Sequence, residues 1–141
     1  MSVESIALWH KRARPKPTDD DLRIQIGCHL EEVVEMLDAL HFHSSWEYLI
    51  DELELLATRL KRGESDVSIA SREALLDAIA DQVVTAVGVG VCAGMDVVGG
   101  VNEVNRSNWS KFNEEGLPIF NEHGKIAKGP KYSPPNLKEF V

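Results

Sequence analysis

The sequence predicts an all-α fold, namely an antiparallel bundle of about four helices followed by an irregular C-terminal tail. Apolar residues recur every three to four positions over three long segments, which is the periodicity of a helix. Capping residues and glycines bound these segments, and from Asn113 the chain is rich in helix-breaking glycine and proline. A length of 141 residues suits one domain, with an N-terminal segment and linker (1–17), a helical core (18–112) and a tail (113–141).

The N-terminal part is expected to contain a short helix and the first long helix. Apolar side chains at helical spacing favour a helix over Ser2–His10, and the basic, proline-containing run Lys11–Pro17 favours a connector. Thr18 and the three aspartates after it can cap free N–H groups and suit the positive end of a helix dipole. The first long helix is therefore expected from this point to about His41.

The second long helix follows a break at His41–Ser45. An apolar stripe predicts this helix from Trp46 to Leu60. The cations and the glycine of Lys61–Gly63 are typical of a helix C-terminus.

A third long helix begins after a polar loop, with Ser68 or Ser71 as its cap, and continues into Gly88–Gly94. That glycine-rich run is not expected to cradle phosphate, because such a loop must follow a strand and open a helix. Its small residues are expected to let a neighbouring helix approach closely. Asp96–Gly100 predicts a break.

The C-terminal part is expected to contain one last helix over Val101–Phe112. In the tail that follows, the residues around Asn121–Gly124 predict a hairpin.

Charge and composition exclude several function classes. A formal charge of −8 disfavours binding to nucleic acid or to an anionic membrane surface. Cys28 and Cys92 lie in apolar helical segments without a CxxC partner, which predicts buried free thiols in a reducing compartment. The longest apolar run, Val83–Met95, is too short to span a bilayer. Together with a polar, basic N-terminus these features predict a cytoplasmic protein.

An acidic motif on the first long helix is the strongest candidate site. Glu31, Glu32 and Glu35 fall within five residues, and helical geometry places them close together on the helix surface. Their mutual repulsion would be offset by a divalent cation, and Mg²⁺, with Mn²⁺ as a substitute, prefers such oxygen ligands. The alternative interpretation is a solvated acidic face.

A second acidic pair, Asp77 and Asp81, is expected on one face of the third helix. Aspartate has a poor helix propensity, so two of them beside an apolar stripe need an explanation. If the two acidic helices pack antiparallel, their carboxylates would form one cage for Mg²⁺.

These motifs together resemble the all-α nucleoside triphosphate pyrophosphohydrolases, the MazG-like superfamily with its dUTPase-like and phosphoribosyl-ATP pyrophosphohydrolase-like members. The resemblance rests on the EExxE motif, the later acidic pair and the run EVNRSNWSKF (103–112) with the lysines and glycines of 124–130, and it covers roughly residues 22–135. The family's later motif is ExxD. Here Ala78 holds the glutamate position and Asp77 is the expected substitute, and the helix Trp46–Leu60 lengthens the gap between the motifs.

The resemblance implies hydrolysis of a nucleoside triphosphate, with a deoxynucleotide as the expected substrate, to monophosphate and pyrophosphate. It implies that Glu32, Glu35, Asp77 and Asp81 bind the metal and that Glu31 is a further ligand or orients the attacking water. The residues expected to contact substrate are cations for the polyphosphate (Arg106, Lys111, Lys125, Lys128), amides for sugar, phosphate or base (Gln25, Asn105, Asn108) and one stacking aromatic (Tyr132).

Self-association is also expected, because the apolar segment Val83–Ala93 leaves too little chain to cover it. A homodimer or tetramer would supply the missing cover.

Two rival interpretations belong to other classes. One is a non-catalytic helical interaction module whose acidic faces only confer solubility. The other is a di-iron carboxylate bundle, which requires Glu-x-x-His pairs, whereas this chain offers only Asp38-x-x-His41.

Overall fold

The computed structural model describes residues 3–42, 45–122 and 124–141, and these residues form five α-helices. The helices are α1 (Val3–Ala13), α2 (Asp19–Asp38), α3 (Glu47–Arg62), α4 (Arg72–Cys92) and α5 (Val97–Trp109). The all-α prediction is therefore confirmed. The five helices correspond to the short, the three long and the last helix expected segment by segment, rather than to the overall count of about four.

The chain divides into two compact units. The first unit comprises residues 1–15, 69–119 and 126–141, and contains α1, α4, α5 and most of the tail. The second unit comprises residues 16–68 and 120–125, and contains α2, α3 and a short turn.

In the second unit α2 and α3 form an antiparallel hairpin. Arg23, early in α2, donates a hydrogen bond to the backbone carbonyl of Leu60, late in α3. One turn further along α2, Gly27 is buried against Ala57 and Lys61. A Cβ atom on Gly27 would lie 2.8 Å from the carbonyl oxygen of Ala57, so the absence of a side chain lets the two helix backbones approach.

The ends of α2 and α3 follow the capping residues that the sequence predicted. Thr18 caps α2 reciprocally: its side chain accepts from the Asp21 N–H at 3.2 Å, and its own N–H donates to the Asp21 carboxylate at 2.9 Å. Gly63 ends α3 with a left-handed φ of +74°. The break between the helices includes His43 and Ser44, which lie outside the described residues.

The first unit has a small aromatic core that joins α1 to α5 and the segment after it. Trp9 stacks on Phe112 with ring centroids 5.7 Å apart, and Trp109 meets Phe112 edge-on at 5.6 Å. The indole N–H of Trp9 donates to the Asn108 carbonyl at 2.9 Å, so the buried polar atom is satisfied. Ala13 completes the buried cluster.

Helix α4 contributes no buried residue, although it is the most apolar helix of the described chain. Its exposed aliphatic side chains are Leu76, Ile79, Val83, Val84, Val87, Val89 and Val91. The apolar run considered from sequence, Val83–Met95, is by itself too short to span a bilayer. The whole helix has 21 residues, and by length and composition alone it is apolar enough to cross a membrane. Helices that pack inside other proteins meet the same criterion.

Several predicted boundaries were wrong by a few residues. Helix α1 continues to Ala13, three residues into the predicted connector, and Ser2 lies outside the described residues. The predicted break at Asp96–Gly100 lies a few residues earlier, at 93–96, between α4 and α5. Asp96 caps α5 by accepting the Gly99 N–H at 2.9 Å, and Gly99 and Gly100 lie inside the helix. Capping residues and glycines both favour turns, so the sequence alone did not decide whether Gly99 and Gly100 lie in the break or inside the helix.

One glycine of the Gly88–Gly94 run has the predicted role. A Cβ atom on Gly90 would clash with the Val97 side chain at the start of α5, so its absence lets that helix approach closely. Gly94 has a φ of +79° and lies just after the end of α4. Among the described residues no atom lies within 4 Å of the position of a Cβ on Gly88.

We predict that Gly27→Ala destabilises the protein by about 1–2 kcal/mol, although alanine is the better helix former by about 1 kcal/mol. The cause is the clash of the new methyl with the Ala57 carbonyl. Urea denaturation followed by circular dichroism measures the change. The control is Gly100→Ala in α5, whose Cβ would meet only Leu137 at 3.9 Å and which should be neutral or stabilising. Equal stability gains in both variants would contradict the close approach.

Candidate functional site

The acidic motif lies on α2 in the second unit, and one of its three carboxylates is held by two lysines. Lys61 on α3 donates to one oxygen of Glu31. Lys125, from the turn at 121–125, donates to the other oxygen at 2.9 Å. Glu31 therefore connects α2 to α3 and to the turn.

Burial and charge act in opposite directions on Glu31. Partial burial would raise the pKa of its carboxyl, but the hydrogen bonds and charges of Lys61 and Lys125 outweigh burial and hold that pKa below its usual value. The hydrogen bond to Glu31 raises the pKa of Lys125, and the charge of Glu32 acts in the same direction. Glu31 is therefore an anion and Lys125 a cation at neutral pH.

Glu32 and Glu35 are exposed on the same helix. Among the described residues the Glu35 carboxylate makes no hydrogen bond or ion pair. Glu35 can therefore accept a cation without first breaking an internal contact.

Asp77 and Asp81 lie one turn apart on α4, in the first unit, and both are exposed. Neither carboxylate has a hydrogen-bond or ion-pair partner within the described ranges. The neighbouring Thr85 hydroxyl donates to the Asp81 carbonyl at 2.8 Å, so it satisfies the backbone rather than the acid.

No group of three or more His, Cys, Asp or Glu side chains that could hold a metal ion is found among residues 3–42, 45–122 and 124–141. The α2 glutamates and the α4 aspartates belong to different units. The predicted cage, which combines the two sets, therefore stays a prediction.

Three of the predicted substrate contacts lie on α5, and two of them have structural roles. Asn105 is buried, and its amide donates to the Ser5 hydroxyl at 2.8 Å. Arg106 is bound through Nε and Nη2 to the Glu103 carboxylate, at 2.8 Å for both contacts, and also donates to the Pro134 carbonyl. Asn108 accepts the Trp9 N–H through its backbone, which leaves its amide side chain available.

Asn105 and Asn108 also line one cavity of about 440 Å³ in the first unit. The walls are mostly apolar and come from α1, from the α4–α5 junction and from the C-terminal residues Leu137, Phe140 and Val141. The structure thus brings both predicted amides to a concave surface.

The remaining predicted contacts are dispersed. Lys128 lies over the ring of Tyr132 at 4.8 Å from its centroid, so the two residues expected to bind phosphate and base contact each other. The Lys111 carbonyl accepts the Gly129 N–H at 2.9 Å. Gln25 is exposed on α2 in the second unit.

Two charged residues that the sequence reasoning missed organise these sites. Glu103 binds Arg106 and also accepts the Asn136 N–H at 2.8 Å, which attaches the tail to α5. Its i,i+3 spacing from Arg106 was a usable signal. Lys61 was taken only as a helix-terminal cation, and no local pattern reveals its contact with Glu31.

Comparison of the chain with protein-family models, with curated proteins and with solved structures found no match. The interpretation of the site therefore depends on the residues themselves.

We predict that the Glu103 contact with the tail is lost in acid. The hydrogen bonds from Arg106 and from the Asn136 N–H lower the pKa of Glu103 from 4.5 to about 2. A carboxyl group whose pKa is lower in the folded than in the unfolded state stabilises the folded protein at pH values above the unfolded pKa. The stabilisation by Glu103 therefore declines as the pH falls from about 4.5 to about 2. Hydrogen exchange at the Asn136 amide, measured by NMR, should lose protection over that range.

In Glu103→Ala, which removes the acceptor, the Asn136 amide should have low protection at every pH. The matched control is Glu139→Ala, which changes an acid of the same tail and should behave as wild type. Unchanged protection in Glu103→Ala would refute the contact.

Proposed function

We propose that this protein is a Mg²⁺-dependent nucleoside triphosphate pyrophosphohydrolase of the MazG-like type, with a deoxynucleotide as the expected substrate. The observation that carries the proposal is a pair of exposed acidic motifs on two helices of an all-α chain. Glu35, Asp77 and Asp81 have no partner among the described residues. Unpaired carboxylates at one-turn spacing repel one another, and a divalent cation would remove that cost.

The donor chemistry fits Mg²⁺, because all four proposed ligands, Glu32, Glu35, Asp77 and Asp81, offer carboxylate oxygen. When bound, the ion would neutralise phosphate charge and lower the pKa of a coordinated water. Mn²⁺ is the expected substitute. The proposal requires the α2 and α4 carboxylates to reach the same ion.

Glu31 is the one residue of the EExxE motif to which we assign a role other than the one implied by the resemblance. Glu31 is already bound to Lys61 and Lys125, so we assign it to positioning these lysines rather than to metal binding or to water activation. The Asn108 amide, which lines the first unit's cavity, is the candidate to orient a ligand there, whereas the Asn105 amide is already bound to Ser5.

The same proposal places the protein in the cytoplasm. Neither Cys28 nor Cys92 forms a disulfide within the described residues, which suits a reducing compartment, although Cys28 is half-buried and Cys92 exposed rather than both buried as expected. The formal charge of −8 supports the absence of nucleic-acid and anionic-membrane partners.

We predict that each triphosphate consumed in the presence of Mg²⁺ yields one monophosphate and one pyrophosphate. A panel of ribo- and deoxynucleotides, with products separated by ion-exchange chromatography, tests this. Glu35→Gln and Asp81→Asn should each lower turnover at least about a hundredfold, the scale of one lost preorganised electrostatic contact. Glu54→Gln, an exposed acid on α3, is the control. Diphosphate with free phosphate as products, or full activity in both site variants, would reject the assignment.

A second proposal is that α4 packs against α4 of another copy, as a homodimer or tetramer. Seven aliphatic side chains of α4 are exposed, and a standard interface buries about 800 Å² on each partner. Aspartates near a membrane centre cost about 2.5–3.5 kcal/mol each. Asp77 and Asp81 therefore favour a protein partner over a bilayer. A non-catalytic interaction module would use the same face.

We predict that the wild-type chain is larger than its monomer mass of 15.7 kDa in static light scattering at micromolar concentration. Val84→Lys, which changes a side chain 68% exposed on α4, should shift it toward the monomer because a charge would be desolvated. Val3→Lys, at a valine 62% exposed on α1, should not. A monomeric wild type would exclude the α4 interface.

A further inference from the structure

A cavity of about 290 Å³ lies entirely within the second unit, at the end of the α2–α3 hairpin. Its walls combine one apolar side chain of α2 with polar side chains of α3 and of the 121–125 turn. The lining residues are Ile24, Thr58, Lys61, Arg62, Asn121 and Lys125.

Three cations converge on this cavity in a unit that is otherwise strongly acidic. The second unit contains six lysines and arginines against fourteen aspartates and glutamates. Lys61 and Arg62 come from the last turn of α3, whereas Lys125 comes from a turn more than sixty positions later in the chain. At physiological salt, acids more than about 8 Å away are largely screened, so the local cations determine what binds.

These cations retain unused hydrogen-bond donors. A lysine ammonium has three N–H donors, and Lys61 and Lys125 each use one on Glu31. Within the described ranges the Arg62 side chain makes no hydrogen bond or ion pair, so all its guanidinium donors are available. The Thr58 hydroxyl adds one more donor on the same wall.

We propose that this cavity binds the polyphosphate group of a small ligand, either free pyrophosphate or the tail of a nucleoside triphosphate. Charge-assisted donors on two sides suit an anion with several oxygens, and Arg62 offers a planar fork for two of them. A pyrophosphate ion has about nine non-hydrogen atoms, which suits a cavity at the lower end of ligand-site volumes.

The identity of the anion rests on the proposed function, whereas the existence of the site does not. Glu31 positions the two ammoniums through its hydrogen bonds, and its single negative charge is smaller than the three positive charges of the lining residues.

The competing explanation is purely structural. Cations at a helix C-terminus favour the helix dipole, and two lysines also compensate the charge of Glu31. That explanation accounts for the ion pairs, but it predicts no anion affinity and no dependence on Arg62.

The test is isothermal titration calorimetry with pyrophosphate and, separately, with a nucleoside triphosphate, in EDTA and at an ionic strength of about 0.15 M, where the distant acids are screened. Arg62→Gln should weaken binding about tenfold, the value of one charge-assisted hydrogen bond. Lys125→Gln should weaken it at least as much. Arg62 has no internal partner, so its variant should fold even if loss of Lys125 loosens the turn. The matched control is Arg59→Gln, which removes a cation of the same helix turn that does not line the cavity, and it should change affinity less than twofold.

The two ligands separate the possible sources of the anion. Competition between them, with the same loss in Arg62→Gln, would support the nucleotide tail, and binding of pyrophosphate alone would support the free ion. No binding of either to wild type, or an equal loss in Arg59→Gln, would overturn the site.

Hydrolysis assays keep this inference distinct from the proposed function. Pyrophosphate binding that depends on Arg62 in a protein without hydrolytic activity would preserve the site and reject the enzyme. If Arg62→Gln hydrolyses the substrate with an unchanged KM and unchanged inhibition by pyrophosphate, the enzyme is supported and the anion site is rejected.

Discussion

The contact of Glu31 with Lys61 and Lys125 determines what the second unit can do. A partly buried carboxylate loses hydration, and two ammoniums restore its stabilisation through charge-assisted hydrogen bonds. The same contact removes Glu31 from the set of carboxylates available to a metal. It also holds two ammoniums that have donors left over, and the charge of Glu32 acts on that of Lys125. Under the two proposals, a carboxylate for a cation and an ammonium for an anion therefore lie close together in this unit.

That contact is possible because the two helices approach closely one turn earlier. Gly27 packs against the Ala57 carbonyl and against the Lys61 side chain, whose ammonium reaches Glu31 one turn further along α2. A side chain at position 27 would push the backbones apart and increase the distance that Lys61 must cross. The close packing at Gly27 is therefore a precondition for the ion pair between Glu31 and Lys61.

Helix α4 exposes both aliphatic side chains and two carboxylates that the described residues of its own unit do not cover or pair. Its aliphatic side chains need a cover, and Asp77 and Asp81 in its N-terminal half need a cation or water. Under the two proposals, self-association covers the apolar part and Mg²⁺ takes the carboxylates. The aromatic core of Trp9, Trp109 and Phe112 fulfils neither role, because it stabilises only the α1–α5 contact.

The sequence by itself determined the helical class, the caps at Thr18 and Gly63, and the acidic motifs, because periodicity, capping and i,i+4 spacing are local properties of the chain. It also indicated that the apolar C-terminal half of α4 would lack cover. Only the tertiary structure decided that Glu31 binds lysines from α3 and from a distant turn, and that Asn105 is committed to Ser5. These contacts join residues far apart in the chain, and their partners depend on how the helices pack, which no local pattern encodes.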